Sequence, residues 1–494
     1  MTRHSWVAFL FTSLLSTSAQ AAAFTKAPER TLKPRVIVLT DISNEPDDEM
    51  SLVRFLLYSN EFDVEGLVAT TSIHLREKPR LDIIQKFVET YGQVRDNLLV
   101  HAAGWPTTKQ LLDVSKAGNT GYGLAAVGDG KTSVGSRLII EAAERPDPRP
   151  LWITVWGGPN TLAQALADAG KSRSKAQMDA LIAKLRVYTI SDQDDSGPYL
   201  RKTYPNLFFI ASPKAIDAEE YQYSTWSGIG GDRHYKNGPG VDFELVDNPW
   251  LDENIRKNHG PLGALYPRVE YIMEGDTPSF FNLINNGLAG HEDPTWGGWG
   301  GRYTLRNTFT EPRPYFTNSR DTVNLSWPGS KTPPRGAPPF LLQHTSQQAT
   351  VWRWRRAFQH DFAARVDWSA TNNRKAANHN PVAIVNGNES KEALQLTVKE
   401  GETVTISAEG SFDPDGHRLN YRWFVYPEAG TLDVAATEKL ALKGDKTRKL
   451  TFVAPKAIIK RKPGEGTMHV ILELADGGKP QLYSYRRVIL TVKP

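Results

Sequence analysis

An apolar run from Val36 to Leu39 ends at Asp41, and the next eight positions contain Asp47, Asp48 and Glu49. Acids gathered this way suit a hard cation. Ca2+ takes roughly six to eight oxygen ligands, and carboxylates from one turn supply several at once. A divalent cation lowers the pKa of a water it binds, and a free carboxylate nearby can take the proton. Asp47 and Asp48 open a helical pattern, where adjacent residues point in different directions, so one can hold metal while the other faces a substrate. The competing explanation is that acids favour the positive end of a helix dipole. It covers Asp47, Asp48 and Glu49, but neither Asp41 nor the long turn between. The local sequence leaves both readings open.

Two further stretches carry polar or aromatic groups suited to a sugar. "TISDQDDSG" places Asp192, Asp194 and Asp195 after another apolar run, as acceptors for sugar hydroxyls or as a solvated acidic loop. "PTWGGWGGRY" sets Trp296 and Trp299 among glycines. This predicts a stacking platform in preference to core packing, with Arg302 beside it as a partner for an acidic sugar.

These residues need elements to position them. "RVIVL", "VEGLVAT", "NLLVHAAG", "PLWITVW", "LRVYTIS" and "NLFFIAS" read as buried strands, separated in most cases by amphipathic helical patterns. That alternation predicts an α/β fold, with a mainly parallel sheet flanked by helices and a ligand crevice at the carboxyl ends of its strands. Asp41, Trp156 and Asp192 each follow a strand and should converge there. Residues 300–350 read as a Pro- and aromatic-rich irregular excursion, and "QATVWRWRRAFQHDFAARVDW" as a helix closing a domain over 35–370. From 380 to 494 the pattern becomes strict alternation with turn signals, which predicts an antiparallel β-sandwich with Trp423 in its core. Asp413 and Asp415 in "FDPDG" read as a turn, with calcium binding as the alternative.

Composition narrows the function classes. A net charge of +4 over 494 residues, with no basic run, gives no case for nucleic acid. The chain has no cysteine, which excludes thiol catalysis and thiolate-held metal. Residues 1–23 read as a secretory signal peptide, with a basic start, a short apolar core and Ala19-Gln20-Ala21, so the mature protein is expected in the periplasm or outside the cell without a membrane span.

"LTDISNEPDDEM" resembles the Asp-x-Asp-x-Gly-x-Asp-Asp motif of the nucleoside hydrolases, with about two extra residues in the turn and no glycine. "VEGLVATTS", "NLLVHAAGWP", "GNTGYGLAAVGDGKTSVGSRLIIEAA", "ITVWGGPNTLAQAL" and "AGHEDPTWGG" resemble later segments of that family, in order. The chain is more similar still to a secreted, polysaccharide-associated subgroup described as cellulose-binding, which adds a C-terminal sandwich. "GSFDPDGHRLNYRWFV" resembles PKD/cadherin-like (Ig-like) modules.

The resemblance implies a Ca2+-dependent hydrolase of a glycosidic bond. Asp41 and Asp48 match calcium ligands, and Asp47 matches the base that activates water. Asn160 matches a position whose main-chain carbonyl binds calcium. Asp293, or else Glu292, matches the last ligand, with Glu292 otherwise facing substrate, and His291 matches a residue assisting the leaving group. The family's substrate-contacting Asn after the second strand is missing from "ATTSIHL". "YIMEGDTPSF" stands where a ribose-binding segment is expected, with Glu274 and Asp276 as hydroxyl acceptors or as an exposed loop. The resulting expectation is an exported hydrolase of a glycan or glycoside that inverts the anomeric carbon. A non-catalytic polysaccharide binder and a periplasmic nucleoside hydrolase are the alternatives.

Overall fold

The computed structural model describes residues 32–43, 45–212, 223–230, 242–307, 311, 313–324 and 343–494. The signal-peptide expectation at 1–23, and "PGSKTPPRGAPPF" within the irregular excursion, lie outside the described residues.

Strands β1 (Arg35–Thr40), β2 (Asp63–Ala69), β3 (Ser115–Ala117), β4 (Leu151–Val155), β5 (Leu185–Ser191) and β6 (Phe208–Ser212) run parallel to one another. β7 (Tyr303–Arg306) and β8 (Tyr315–Asn318) complete an eight-stranded sheet of order β3-β2-β1-β4-β5-β6-β8-β7. The chain between the parallel strands forms α1 (Pro46–Leu57), α2 (Leu81–His101), α3 (Thr108–Asp113), α4 (Val134–Glu144), α5 (Asn160–Ser172), α6 (Lys175–Lys184) and α7 (Ser196–Thr203). A late helix, α8 (Arg355–Ala370), returns to pack on α1 and α2.

β1 shows why a continuous apolar run suits this sheet. Val36 and Val38 pack with Leu52, Phe55 and Leu56 of α1, Ile84 and Val88 of α2, and Phe358 and Phe362 of α8. Ile37 and Leu39 point the other way, onto Leu138 and Ile139 of α4 and Leu162 and Leu166 of α5. Each such side chain contributes about 1.5–3 kcal/mol by leaving water. The strand is fixed from both faces, and its carboxyl end is held rigidly.

Two expectations about elements change. "NLLVHAAG" is not a strand: residues 97–101 are the last turns of α2. Val94, Leu98 and His101 are buried at helical spacing while Leu99 and Val100 are exposed, so period 3.6 prevails over a short apolar run. The edge strand is β3 instead. The excursion after residue 300 is not wholly irregular either, since β7 and β8 pair antiparallel, and β8 joins β6 in parallel.

A two-stranded ribbon of β9 (Asp321–Asn324) and β10 (Gln343–Ser346) follows the sheet. The C-terminal sandwich has one sheet of β11 (Leu394–Lys399), β18 (Tyr483–Lys493), β17 (Gly466–Ala475) and β13 (Asn420–Val425), in that order. Facing it are β12 (Thr403–Ser407) and β14 (Lys449–Val453), and β15 (Ile458–Ile459) with β16 (Lys462–Pro463) forms a small ribbon. The pairings are antiparallel except β11 with β18. Trp423 is in the core as expected. Among the described residues, no helix is long and apolar enough to cross a membrane.

Candidate functional site

The sheet brings its strand ends together where the acids lie. Asp41 follows β1 directly, and its Oδ2 accepts from Ser72 Oγ beyond the end of β2. Its Oδ1 faces Gly157 beyond β4, where a Cβ would sit 2.5 Å away, so only glycine leaves the carboxylate its place. The inserted turn bends through Ser43 at φ 107°, while Asn44 lies outside the described residues. α1 then begins with Pro46, whose fixed φ suits a helix start, and carries Asp47 and Asp48 in its first turn. Thr40 Oγ1 donates to Asp48 Oδ1 and accepts from Ile42 N at 3.1 Å.

Asp276 reaches the same place from a distant loop. Asp47, Asp48 and Asp276 each present an oxygen, and these atoms lie within 4.8 Å of one another. All three are buried, and Asp276 Oδ2 has no hydrogen-bond partner. Gly275 permits the approach, since a Cβ there would be 2.9 Å from Asp47 Oδ2.

Burial pushes the carboxyls of Asp47, Asp48 and Asp276 well above the usual carboxylate range, and repulsion from neighbouring acids pushes them further: Glu45 and Asp41 for Asp47, Asp41 and Asp47 for Asp48, and Asp48, Asp47 and Asp41 for Asp276. Asp41 is raised as well, chiefly by burial, although the Ser72 hydroxyl works against it. Such a group of acids is stable only if protonated or if a cation sits among them. The orphaned Asp276 oxygen, the close carboxylates and an all-oxygen donor set fit a hard divalent cation.

Asp194 lies on the same rim. Its Oδ1 accepts from Ser196 N at 2.8 Å and from Ser196 Oγ, while Oδ2 has no partner. A Cβ on Gly158 would meet that free oxygen at 2.2 Å. Burial raises the Asp194 carboxyl to about 6.

Other expected site residues have different places. Asn160 starts α5, and helical geometry aims its carbonyl down the helix axis. Its side chain acts instead as a tie: Nδ2 donates to Thr71 Oγ1 at 2.9 Å and to Gly121 O at 3.0 Å. Asp192 is engaged by Arg201 at 2.8 and 2.7 Å rather than presented to a ligand. Glu274 is fully buried and gives its oxygens to Arg54, Tyr266 and Thr277, so it anchors the loop that delivers Asp276.

His291, Glu292 and Asp293 are not brought to the Asp47 cluster. His291 and Glu292 group with Glu392 at the start of the sandwich, and Asp293 Oδ1 caps its own turn by accepting from Thr295 N and Oγ1 at 2.7 Å. The tryptophan platform is also revised. Trp299 is a core residue packed on Phe281 and Phe358. Its glycines serve close backbone approach: a Cβ on Gly300 would lie 2.5 Å from Pro278 O. Trp296 packs edge-on against His469 of the sandwich. Arg302 is buried and donates from Nε to Asp321 at 2.7 Å.

Thr40, Ser72, Gly157 and Gly275 were not singled out from the sequence. The hydroxyls follow apolar strands and the two glycines precede or adjoin functional positions, but nothing local identifies their partners.

Residues 35–303 match the family model described as "Cellulose-binding Sde182, nucleoside hydrolase-like domain". Residues 403–492 match "Cellulose-binding protein Sde0182, C-terminal domain". Among solved structures, the chain is similar to a nucleoside hydrolase-related hypothetical protein from Saccharophagus degradans that is associated with carbohydrate metabolism. The two share 34% identity over 93% of this chain and 100% of that one, with a TM-score of 0.75. The effector protein XOO4466 aligns at 12% identity over 58% of this chain and 88% of its own, with a TM-score of 0.30, too low to carry an argument. No curated protein matches the chain.

Proposed function

The chain belongs to the cellulose-binding Sde182 family with a nucleoside hydrolase-like domain, and from that premise we propose that it is an exported, divalent-cation-dependent hydrolase of a glycosidic bond in a carbohydrate. The observation that carries this reading is the buried trio of Asp47, Asp48 and Asp276, with one Asp276 oxygen left without a partner. A binding surface for a neutral polysaccharide has no need of three carboxylates forced together at the end of a parallel sheet.

Asp48, Asp276 and Asp41 would hold the cation, with Ca2+ the ion best suited to all-carboxylate ligation. When bound, it would supply Lewis acidity toward water and sugar hydroxyls. Ser72 and Thr40 fix the orientation of Asp41 and Asp48. Asp47, whose carboxyl burial and the neighbouring Glu45 raise above the usual carboxylate range, takes the proton of the attacking water, and a raised pKa makes it a stronger base. Asp194, whose pKa of about 6 leaves part of it protonated near neutral pH, donates a proton to the departing oxygen. Direct attack by water inverts the anomeric carbon.

One observation favours a second reading, in which the protein binds polysaccharide without cleaving it. The side chains of Trp299, Arg302 and Glu274 are committed to packing and buried ion pairs, so these three groups are not offered to a sugar. The two readings separate in a screen of cello-, xylo- and uronate oligosaccharides and nucleosides, with wild type and Asp47→Ala, with and without chelator. Hydrolysis abolished by both treatments is the expected result. Product release that survives both sinks the mechanism. Glycan binding without release, unaffected by Asp47→Ala, establishes the binder.

A further inference from the structure

A trough of about 920 Å3 runs along the junction of α8 with the sandwich, remote in sequence from the acidic crevice. Its charges do not balance. Asp242 is neutralised by Arg356 at 2.5 Å, and Glu473 by Arg422 at 2.7 and 2.8 Å. Asp413 Oδ1 is capped by the amides of Asp415 and His417. Arg353, also on the wall, is paired with Asp321 at 2.8 Å. Arg418, Lys446 and Arg448 remain, all exposed and with no acidic partner among the described residues.

Flat rings lie among these cations. Arg448 Nε donates to Tyr421 Oη at 3.3 Å, which holds the ring beside the guanidinium. Phe412 is 51% exposed on the same wall, and Tyr483 lines the trough from β18. Unpaired cations interleaved with ring faces match a chain that presents both carboxylates and flat apolar sugar faces. A neutral glucan would leave the cations unanswered, and a compact phosphate would leave the rings unused.

We propose that this trough is a second carbohydrate site that binds an acidic, uronate-containing polysaccharide, with Arg418, Lys446 and Arg448 pairing its carboxylates and Tyr421 and Phe412 stacking on its rings. The site lies apart from the acidic crevice and stands whether or not that crevice hydrolyses anything. It would hold an acidic glycan against the protein through the sandwich, a role that the sandwich strands alone do not explain.

Calorimetric titration of the full chain with a short oligogalacturonate, and with a neutral oligosaccharide of equal length, tests this. The uronate should bind about tenfold tighter than its neutral counterpart, and the preference should weaken with salt. The triple variant Arg418→Gln, Lys446→Gln, Arg448→Gln should lose that preference while keeping the melting temperature of wild type. The charge-conserving set Arg418→Lys, Lys446→Arg, Arg448→Lys should retain it, which guards against misfolding of the first variant. Tyr421→Ala should weaken binding further, and Asp276→Asn should leave it unchanged. Equal binding of the neutral oligomer, equal binding of dextran sulfate, or loss of uronate binding in Asp276→Asn each overturns the proposal. The first removes the charge recognition, the second the sugar recognition, and the third moves the ligand to the acidic crevice.

Discussion

Replacing Asp276 with Asn should stabilise the cation-free protein and remove most of the stabilisation that a divalent cation gives. The acidic oxygens of Asp47, Asp48 and Asp276 lie within 4.8 Å of one another. At an effective dielectric constant of roughly 20, each fully ionised pair at that separation repels by about 3.5 kcal/mol. Asp276 takes part in two of these pairs, or about 7 kcal/mol. The cation-free protein relieves this by keeping an acid protonated, which at pH 7.5 costs about 5 kcal/mol against a free pKa near 3.9. Asp276→Asn removes the smaller of these costs, so in chelator at pH 7.5 the variant should be more stable than wild type by a few kcal/mol.

The sign with pH follows from the raised carboxyls. Between the unfolded pKa near 4 and their higher folded values, the folded state binds more protons than the unfolded state, so cation-free stability falls as pH rises. The advantage of Asp276→Asn should therefore shrink toward zero near pH 4. With Ca2+ in excess the gap should narrow. A cation at 100 times its Kd stabilises wild type by about 2.7 kcal/mol, and the variant gains much less. Scanning calorimetry at pH 4, 6 and 7.5, in chelator and in calcium, measures all of this. A variant less stable than wild type in chelator at pH 7.5, with an undiminished calcium response, would refute the role of Asp276 as a cation ligand crowded against Asp47 and Asp48.

Gly157→Ala should lower cation affinity with a smaller effect in chelator, because its Cβ would sit 2.5 Å from Asp41 Oδ1 and displace a ligand; calcium titration followed by melting temperature reads it. Glu274→Gln leaves the Arg54 guanidinium buried beside a neutral partner and should cost about 3–5 kcal/mol, measured by denaturant unfolding at pH 7. Trp299→Ala should cost about 3–5 kcal/mol by opening a core cavity, without the selective loss of glycan affinity that removal of a stacking platform would cause. Asp194→Asn should slow hydrolysis and abolish the fall in rate above pH 6, because the proton Asp194 donates is lost as pH rises through its pKa of about 6; a pH–rate profile tests this.

Much of the fold could be read from periodicity. β1, β2, β4, β5 and β6 stand where continuous apolar runs placed them, and the alternation after residue 380 became the sandwich. The exception, "NLLVHAAG", shows the limit, because an apolar run of that length suits a strand or the end of a helix until its buried face is known.

Half of the candidate site was legible for the same reason. Asp41, Asp47 and Asp48 are close in the chain, and a strand followed by a helix leaves them few places to go, so their convergence is local geometry. The sequence alone thus determined the parallel sheet and an acidic crevice at the end of its first strand. Only the tertiary structure decided that Asp276 completes that crevice, that His291 and Glu292 group with Glu392 while Asp293 caps its own turn, and that Trp299 and Arg302 are interior. Those residues sit on glycine-bearing loops with no periodic pattern. Where such loops come to rest depends on which buried anchor holds them, here the Arg54–Glu274 pair and the Arg302–Asp321 pair. Each anchor joins residues distant in the chain, and no local spacing encodes such a contact.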